Sequence, residues 1–331
     1  MPKQDSITKD SAETVSFLNW EKRWLRVFRI AVLLLFAALT LYGIYQMSRH
    51  NWQEITAFWF FRYRLLLLLF LFATLDIAMD AVVWNGILRQ QGVRLRLGRG
   101  LLLFLSGYAG LFMPVQMGRF FRATELSRIY GVSLAVATKT EITLLLFVAI
   151  SSVSVFFGSF FWTIQPSIAL VLPFLLTAAA LFILSSAVHF IPFLSKQLPH
   201  AYLRRPATFM LCSLTGIGWF LNGFILFLIC REITTTLLLS HTIMIVTSNL
   251  FVGIISGLPG GVGITESYIG GLMYWLSAPP EHLVLAIGVF RILTFWIWIP
   301  IGWLALLMNH LLFGIAKDKI KPKGEAIGRT S

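Results

Sequence analysis

Arg119 and Arg122 follow directly on the run Pro114-Val115-Gln116-Met117-Gly118, and Glu125 stands three residues further on. On a helix these three charged side chains share one face. Two guanidinium groups on one face can hold a phosphate through paired N–H donors. The plainer alternative is cytoplasmic anchoring, with Glu125 pairing to Arg122 and Arg128. Pro114 and Gly118 weaken a helix at this point and would act as its hinge.

A second group is Pro259-Gly260-Gly261-Val262-Gly263-Ile264-Thr265-Glu266. Its glycines let backbone approach a ligand or a neighbouring helix closely. A helix starting near Ile264 would aim its first amides into the break, which suits an anion. Glu266 in that first turn is favoured by the helix dipole and competes with an anionic ligand. The plain alternative is a tight turn. Downstream, Arg291 interrupts the apolar run Val289-Phe290-Arg291-Ile292. A charge at membrane depth costs about 2.5–3.5 kcal/mol on insertion scales and so faces a partner or a cavity. Glu266 is the expected partner. Asp76 and Asp80 share a helix face, and Glu141 opens a later apolar segment; proton coupling and structural hydrogen bonding both fit these three.

The expected substrate-binding set is therefore Arg119, Arg122, Pro259, Gly260, Gly261, Gly263, Glu266 and Arg291. No metal or cofactor site is expected, because no Cys/His cluster has ligand spacing. Cys212 and Cys230 stand 18 residues apart on one predicted helix, about 27 Å of rise, which is too far for a disulfide. His189 and His310 lie at the ends of apolar segments with no evident partner. No P-loop and no nucleophile-plus-base motif is present, so neither ATP hydrolysis nor soluble-type catalysis is expected.

The elements that must position these residues are membrane helices. The chain has 331 residues, 57% hydrophobic and 12% charged, with a mean hydropathy of +0.80. A span needs about 20 mostly apolar residues, and eight segments read as embedded: 27–47, 65–88, 100–118, 140–158, 163–188, 208–230, 237–277 and 283–312. The first reads as a retained helix rather than a signal peptide. Around them, 1–25 reads as a cytoplasmic tail, 26–312 as a single transmembrane domain and 313–331 as a Lys-rich cytoplasmic tail. The net charge of +13 sits in short loops and in this tail, as the positive-inside rule requires, so nucleic acid is not an expected partner. Trp52, Trp59, Phe60 and Phe61 suit an outer interfacial stretch.

Eight simple spans would place Arg119, Arg122, Arg128 and Lys139 opposite Arg89, Arg94, Arg96 and Arg99. The conflict vanishes if 100–118 and 237–277 each dip into the membrane and return. The cytoplasmic parts then hold 22 of the Lys and Arg and the outer loops 4, with both termini inside a bacterial-type inner membrane. The expected fold is all-α and polytopic, with about six full spans plus two re-entrant hairpins; eight simple spans is the alternative. Halves of about 26–158 and 163–312 become an inverted repeat, with breaks near 114 and 259 in corresponding positions. Paired breaks of this kind mark a midplane binding site in transporters.

These motifs resemble the flippase-like family that includes the transmembrane region of lysylphosphatidylglycerol synthases. The resemblance rests on Pro114, Gly118, Arg122, Gly131-Val132-Ser133, Glu141, Pro259-Gly260-Gly261, Gly263, Glu266 and Arg291. Two positions depart from the family pattern: Arg119 stands where an acidic residue is usual, and Ile142 where an arginine often follows the glutamate. The resemblance implies the translocating region without the soluble aminoacyl-transferase domain. The expected activity is translocation or handling of an anionic phospholipid headgroup, by a transporter rather than an enzyme. A homo-oligomer or a cytoplasmic lipid-synthesis partner is compatible with this. The alternatives are a lipid-modifying membrane enzyme using Asp76, Asp80, Glu141 or Glu266 as acid or base, and a non-catalytic assembly protein.

Overall fold

The computed structural model describes residues 56–111, 118–190, 200–233 and 237–314. The expected first span at 27–47, Trp52, Pro114 and most of the two tails lie outside the described residues, as do the side chains of Arg119 and Pro259. The chain divides after Phe61. Of the first unit, residues 56–61 are helical. The second unit is Arg62–Ser331.

This second unit is helical, with no strand among the described residues. Helix α1 is Tyr63–Gln90, α2 is Leu97–Ser106, α3 is Gly118–Tyr130 and α4 is Leu134–Trp162. After a short turn at Pro166–Ala169 come α5, Leu172–Ala187, and α6, Pro206–Glu232. Then α7 is Leu239–Ser256, α8 is Ile264–Trp275 and α9 is Pro280–Arg291. A π-helical turn, Ile292–Trp296, joins α9 to α10, Trp298–Asn309. Among the described residues, five helices are long and apolar enough to cross a membrane: α1, α4, α6, α7 and the continuous stretch His282–Leu312. The chain is thus an all-α polytopic membrane protein.

Local chemistry sets the boundaries. Proline opens α6 and α9, where its missing N–H costs nothing and its fixed φ suits the first turn. Gly131 ends α3 at φ +68°, and Ser133 caps α4 by accepting from the Val136 amide at 3.4 Å. Gly131-Val132-Ser133 is therefore a stop-and-restart joint that turns α4 back against α3.

Of the two segments expected to be interrupted, the second is broken, while the expected break of the first, near Pro114, lies outside the described residues. Residues 100–118 run as α2 into a 3₁₀ turn, Gly107–Gly110, before α3. The chain from α7 to α8 passes through Gly257, Gly260, Gly261 and Gly263, all at positive φ, a conformation open to glycine without steric cost. The α8 helix packs against α7. The order long helix, broken pair, long helix occurs twice, first in α1–α4 and again in α6–α10.

Helix α6 is the hub, packed against α1, α4 and α7, while α10 lies along α2 and the 3₁₀ turn. Small residues make these crossings close, as is usual between membrane helices. A Cβ on Gly302 would sit 2.5 Å from the Ala109 nitrogen, and one on Gly223 would sit 2.6 Å from the Ile243 Cα. Serines within the spans donate to backbone carbonyls: Ser152 to Thr247 of α7 at 2.8 Å, and Ser151 to Phe147 of its own helix at 2.7 Å.

Candidate functional site

The glycine turn after α7 borders a cavity of about 270 Å³. Leu111, just after the 3₁₀ turn, reaches it from the first half, and Leu258, Gly260 and Gly261 reach it from the glycine turn. Asp76 and Asp80, one helical turn apart on α1, form part of its wall. Thr215, Trp219 and Asn222 face it from α6 at i, i+4 and i+7, a single helix face. Asn249, Thr265, Arg291, Thr294 and Phe295 complete the polar and aromatic lining.

Asp76 is held in place. Asn222 Nδ2 donates to its Oδ2 at 2.8 Å and to the Gly218 carbonyl at 3.1 Å. Gly218 is a packing requirement here, because a Cβ would collide with the Asp76 carboxylate. Asn249 Oδ1 is buried and has no hydrogen-bond partner among the described residues. A buried acceptor left unpaired costs about 1–3 kcal/mol, so an acceptor in this condition beside a cavity is suited to a ligand or water.

Arg291 and Glu266, the expected pair, are in contact. Arg291 Nε donates to Glu266 Oε1 at 2.7 Å, and its Nη2 donates to the Gly260 carbonyl at 2.9 Å. The guanidinium lies 4.3 Å from the Phe295 ring centroid. The other carboxylate oxygen, Oε2, accepts the Gly263 N–H at 2.6 Å, which caps α8 from its third position. One arginine therefore ties α9 to both the glycine turn and the first turn of α8. The π turn after Arg291 carries Thr294 and Phe295 onto the same cavity; such turns recur at functional sites.

Arg122 is placed elsewhere. It is 4% exposed, does not line the cavity, and binds Glu141 as a fork: Nε donates to Oε1 at 2.8 Å, and Nη2 donates to Oε2. Trp84 Nε1 donates to the same Oε1 at 2.8 Å. The guanidinium is walled by Phe104, 4.2 Å from its centroid, and by Trp84 at 5.1 Å. Gly107 presses on the arginine stem, since a Cβ there would lie 3.1 Å from Arg122 Cβ. Arg122 and Glu141 thus join α3 to α4 inside a sealed pocket.

Glu125 pairs with Arg128 at 3.3 Å, as the plainer expectation had it, but not with Arg122. His310, which showed no partner in the sequence, contacts both Glu125, at 3.3 Å, and Arg128. Gly118 opens α3 and Arg119 follows it. Cys212 and Cys230 are buried and are not joined in a disulfide. Asn222, Asn249, Gly218 and Trp84 were not singled out from the sequence. The only hint was amides in otherwise apolar spans, which signals a polar neighbour without naming it.

No curated protein matches this chain closely enough to count as a relative. The pattern of the lysylphosphatidylglycerol synthase transmembrane region does match, over residues 23–302. The matched stretch holds both the buried Arg122–Glu141 pair and the Glu266–Arg291 pair, and the chain belongs to the lysylphosphatidylglycerol synthase transmembrane-region family.

Proposed function

We propose that this protein moves a phospholipid headgroup across the inner membrane through the cavity between its two breaks. The observation that carries this is the lining: among the described residues, Leu111 of the first half, the Gly260-Gly261 turn, two carboxylates and one guanidinium border a single cavity among membrane-spanning helices. Charges cost too much at such depth to be kept as filler.

In this reading α2–α3 and α7–α8 are re-entrant hairpins, the halves are inverted, and both termini are cytoplasmic. The headgroup phosphate binds Arg291, whose planar fork suits a tetrahedral oxyanion. Gly260, Gly261 and Gly263 let the phosphate approach the turn. Asp76 and Asp80 face the rest of the headgroup. Among the described residues, acidic groups outnumber basic ones on the cavity wall, so the favoured headgroup carries an amine as well as its phosphate. This narrows the expectation of a purely anionic lipid. The acyl chains stay in the bilayer while rocking of one half against the other exposes the cavity to each side in turn.

Proteoliposomes carrying fluorescent phosphatidylethanolamine test this. Wild-type protein is expected to speed leaflet exchange well above empty liposomes, and Arg291→Ala to reduce the gain at least tenfold. The loss of a charge-assisted contact, about 1.5–3 kcal/mol, corresponds to that order. Exchange by the wild type no faster than in empty liposomes would remove the proposal.

A further inference from the structure

The two ion pairs occupy matching places with their charges reversed. In the first half the arm after the break supplies the cation, Arg122, and the next long helix supplies the anion, Glu141. In the second half the arm supplies the anion, Glu266, and the next helix supplies the cation, Arg291. Each pair fastens a broken arm to the helix that comes after it.

Their surroundings differ in every respect that decides whether a ligand can intervene. The side chains of Arg122 and Glu141 are 5% and 2% exposed, whereas Glu266 is 27% exposed. The first pair is a two-pronged fork reinforced by the Trp84 N–H and covered by aromatic rings. The second is joined through one oxygen, while the other oxygen caps Gly263. Arg291 lines the cavity; neither Arg122 nor Glu141 does. A phosphate entering the cavity meets a guanidinium held by one carboxylate oxygen and one carbonyl, and offers it a bidentate contact instead. Glu266 loses little, because its cap to Gly263 does not depend on Arg291.

Resting on the translocation reading above, we infer that the first pair is a permanent bolt and the second a latch that phosphate opens. Arg122 and Glu141 are then positioning residues that make α1, α3 and α4 one body. Phosphate binding at Arg291 withdraws its donor from the Gly260 carbonyl and its charge from Glu266 together, which frees the glycine turn and α8. Motion is confined to the second break, and the four positive-φ glycines there are its hinge. The phosphate of the headgroup is thus both cargo and trigger.

Carboxylate footprinting on the full chain in maltoside micelles tests the division. The protein is treated with a carbodiimide and an amine, with either phosphatidylglycerol or diacylglycerol of the same acyl chains, and modified residues are read by mass spectrometry. Phosphatidylglycerol is expected to raise labelling of Glu266 several-fold over diacylglycerol, while Glu141 stays unlabelled in both. In Arg291→Gln, Glu266 is expected to label equally with either lipid. Labelling of Glu266 that ignores phosphatidylglycerol would overturn the latch, and labelling of Glu141 that rises with it would overturn the bolt. The leaflet-exchange assay separates this from the translocation reading: active exchange without a Glu266 response sinks only the latch, and a Glu266 response without exchange sinks only translocation.

Discussion

Glu141→Gln is expected to cost the protein more stability than any other single change to an ion pair among the described residues. Glutamine keeps the shape and one acceptor but leaves the Arg122 guanidinium buried against Phe104 and Trp84 with no counter-charge. Breaking a buried pair by removing one partner costs about 3–5 kcal/mol, because the remaining charge stays desolvated. The matching control is Glu232→Gln. Its pair with Arg62, at 2.6 Å, is 56% exposed on the arginine side, and exposed pairs contribute less than about 1 kcal/mol. Thermal unfolding in detergent, followed by size-exclusion chromatography, is the measurement. Glu141→Gln should show a much lower midpoint and an aggregated fraction, and Glu232→Gln should track the wild type. Equal midpoints for both variants would mean that the Arg122 pocket is wet.

The second large effect is expected on headgroup choice. Asp76→Asn keeps the size of the side chain and can still meet Asn222, but it removes one of the two carboxylates that border the cavity. Contacts to a charged group are worth about 1.5–3 kcal/mol, or roughly 10- to 100-fold. Exchange of phosphatidylethanolamine should fall by that factor, while exchange of phosphatidylglycerol, which has no amine, should fall little or rise. Comparing the two fluorescent lipids in matched liposomes reads this directly. Parallel losses for both lipids would assign Asp76 to packing or proton coupling instead of amine recognition.

Much of the architecture could be read from composition and spacing. The second break was visible because glycine and proline inside apolar runs are costly unless the chain must turn, and the positive φ of Gly257, Gly260, Gly261 and Gly263 is the physical form of that cost. The Glu266–Arg291 pair was visible for a related reason: an arginine within a span demands a partner, and an acid in the preceding break was in reach. The fate of Arg122 was not legible. Its partner lies 19 residues away across the Gly131–Ser133 joint, and helical periodicity does not say toward which neighbour a face turns. Glu125, three residues off, looked equally suitable, yet it faces Arg128 and His310. The cavity amides were missed because a neutral amide in an apolar helix costs far less than a charge, so Asn222 and Asn249 raised no demand of their own.

The consequence for the site is a change of cast. Arg122 serves the scaffold, and Arg291 lines the cavity together with two aspartates, while the Arg119 side chain lies outside the described residues. The family pattern spans both roles without distinguishing them, because each half keeps one arginine and one glutamate. Both arginines are buried; the exposure of their glutamates, 2% against 27%, and the place of Arg291 on the cavity wall separate the two pairs.

The most direct measurement is native mass spectrometry of the protein extracted from its membrane, which weighs whatever lipid the cavity retains. Wild-type protein should carry one phospholipid bearing an amine, and that adduct should be lost from Arg291→Ala and Asp76→Asn but kept by Glu232→Gln. An adduct spectrum unchanged by the two cavity substitutions would contradict a headgroup site between the breaks.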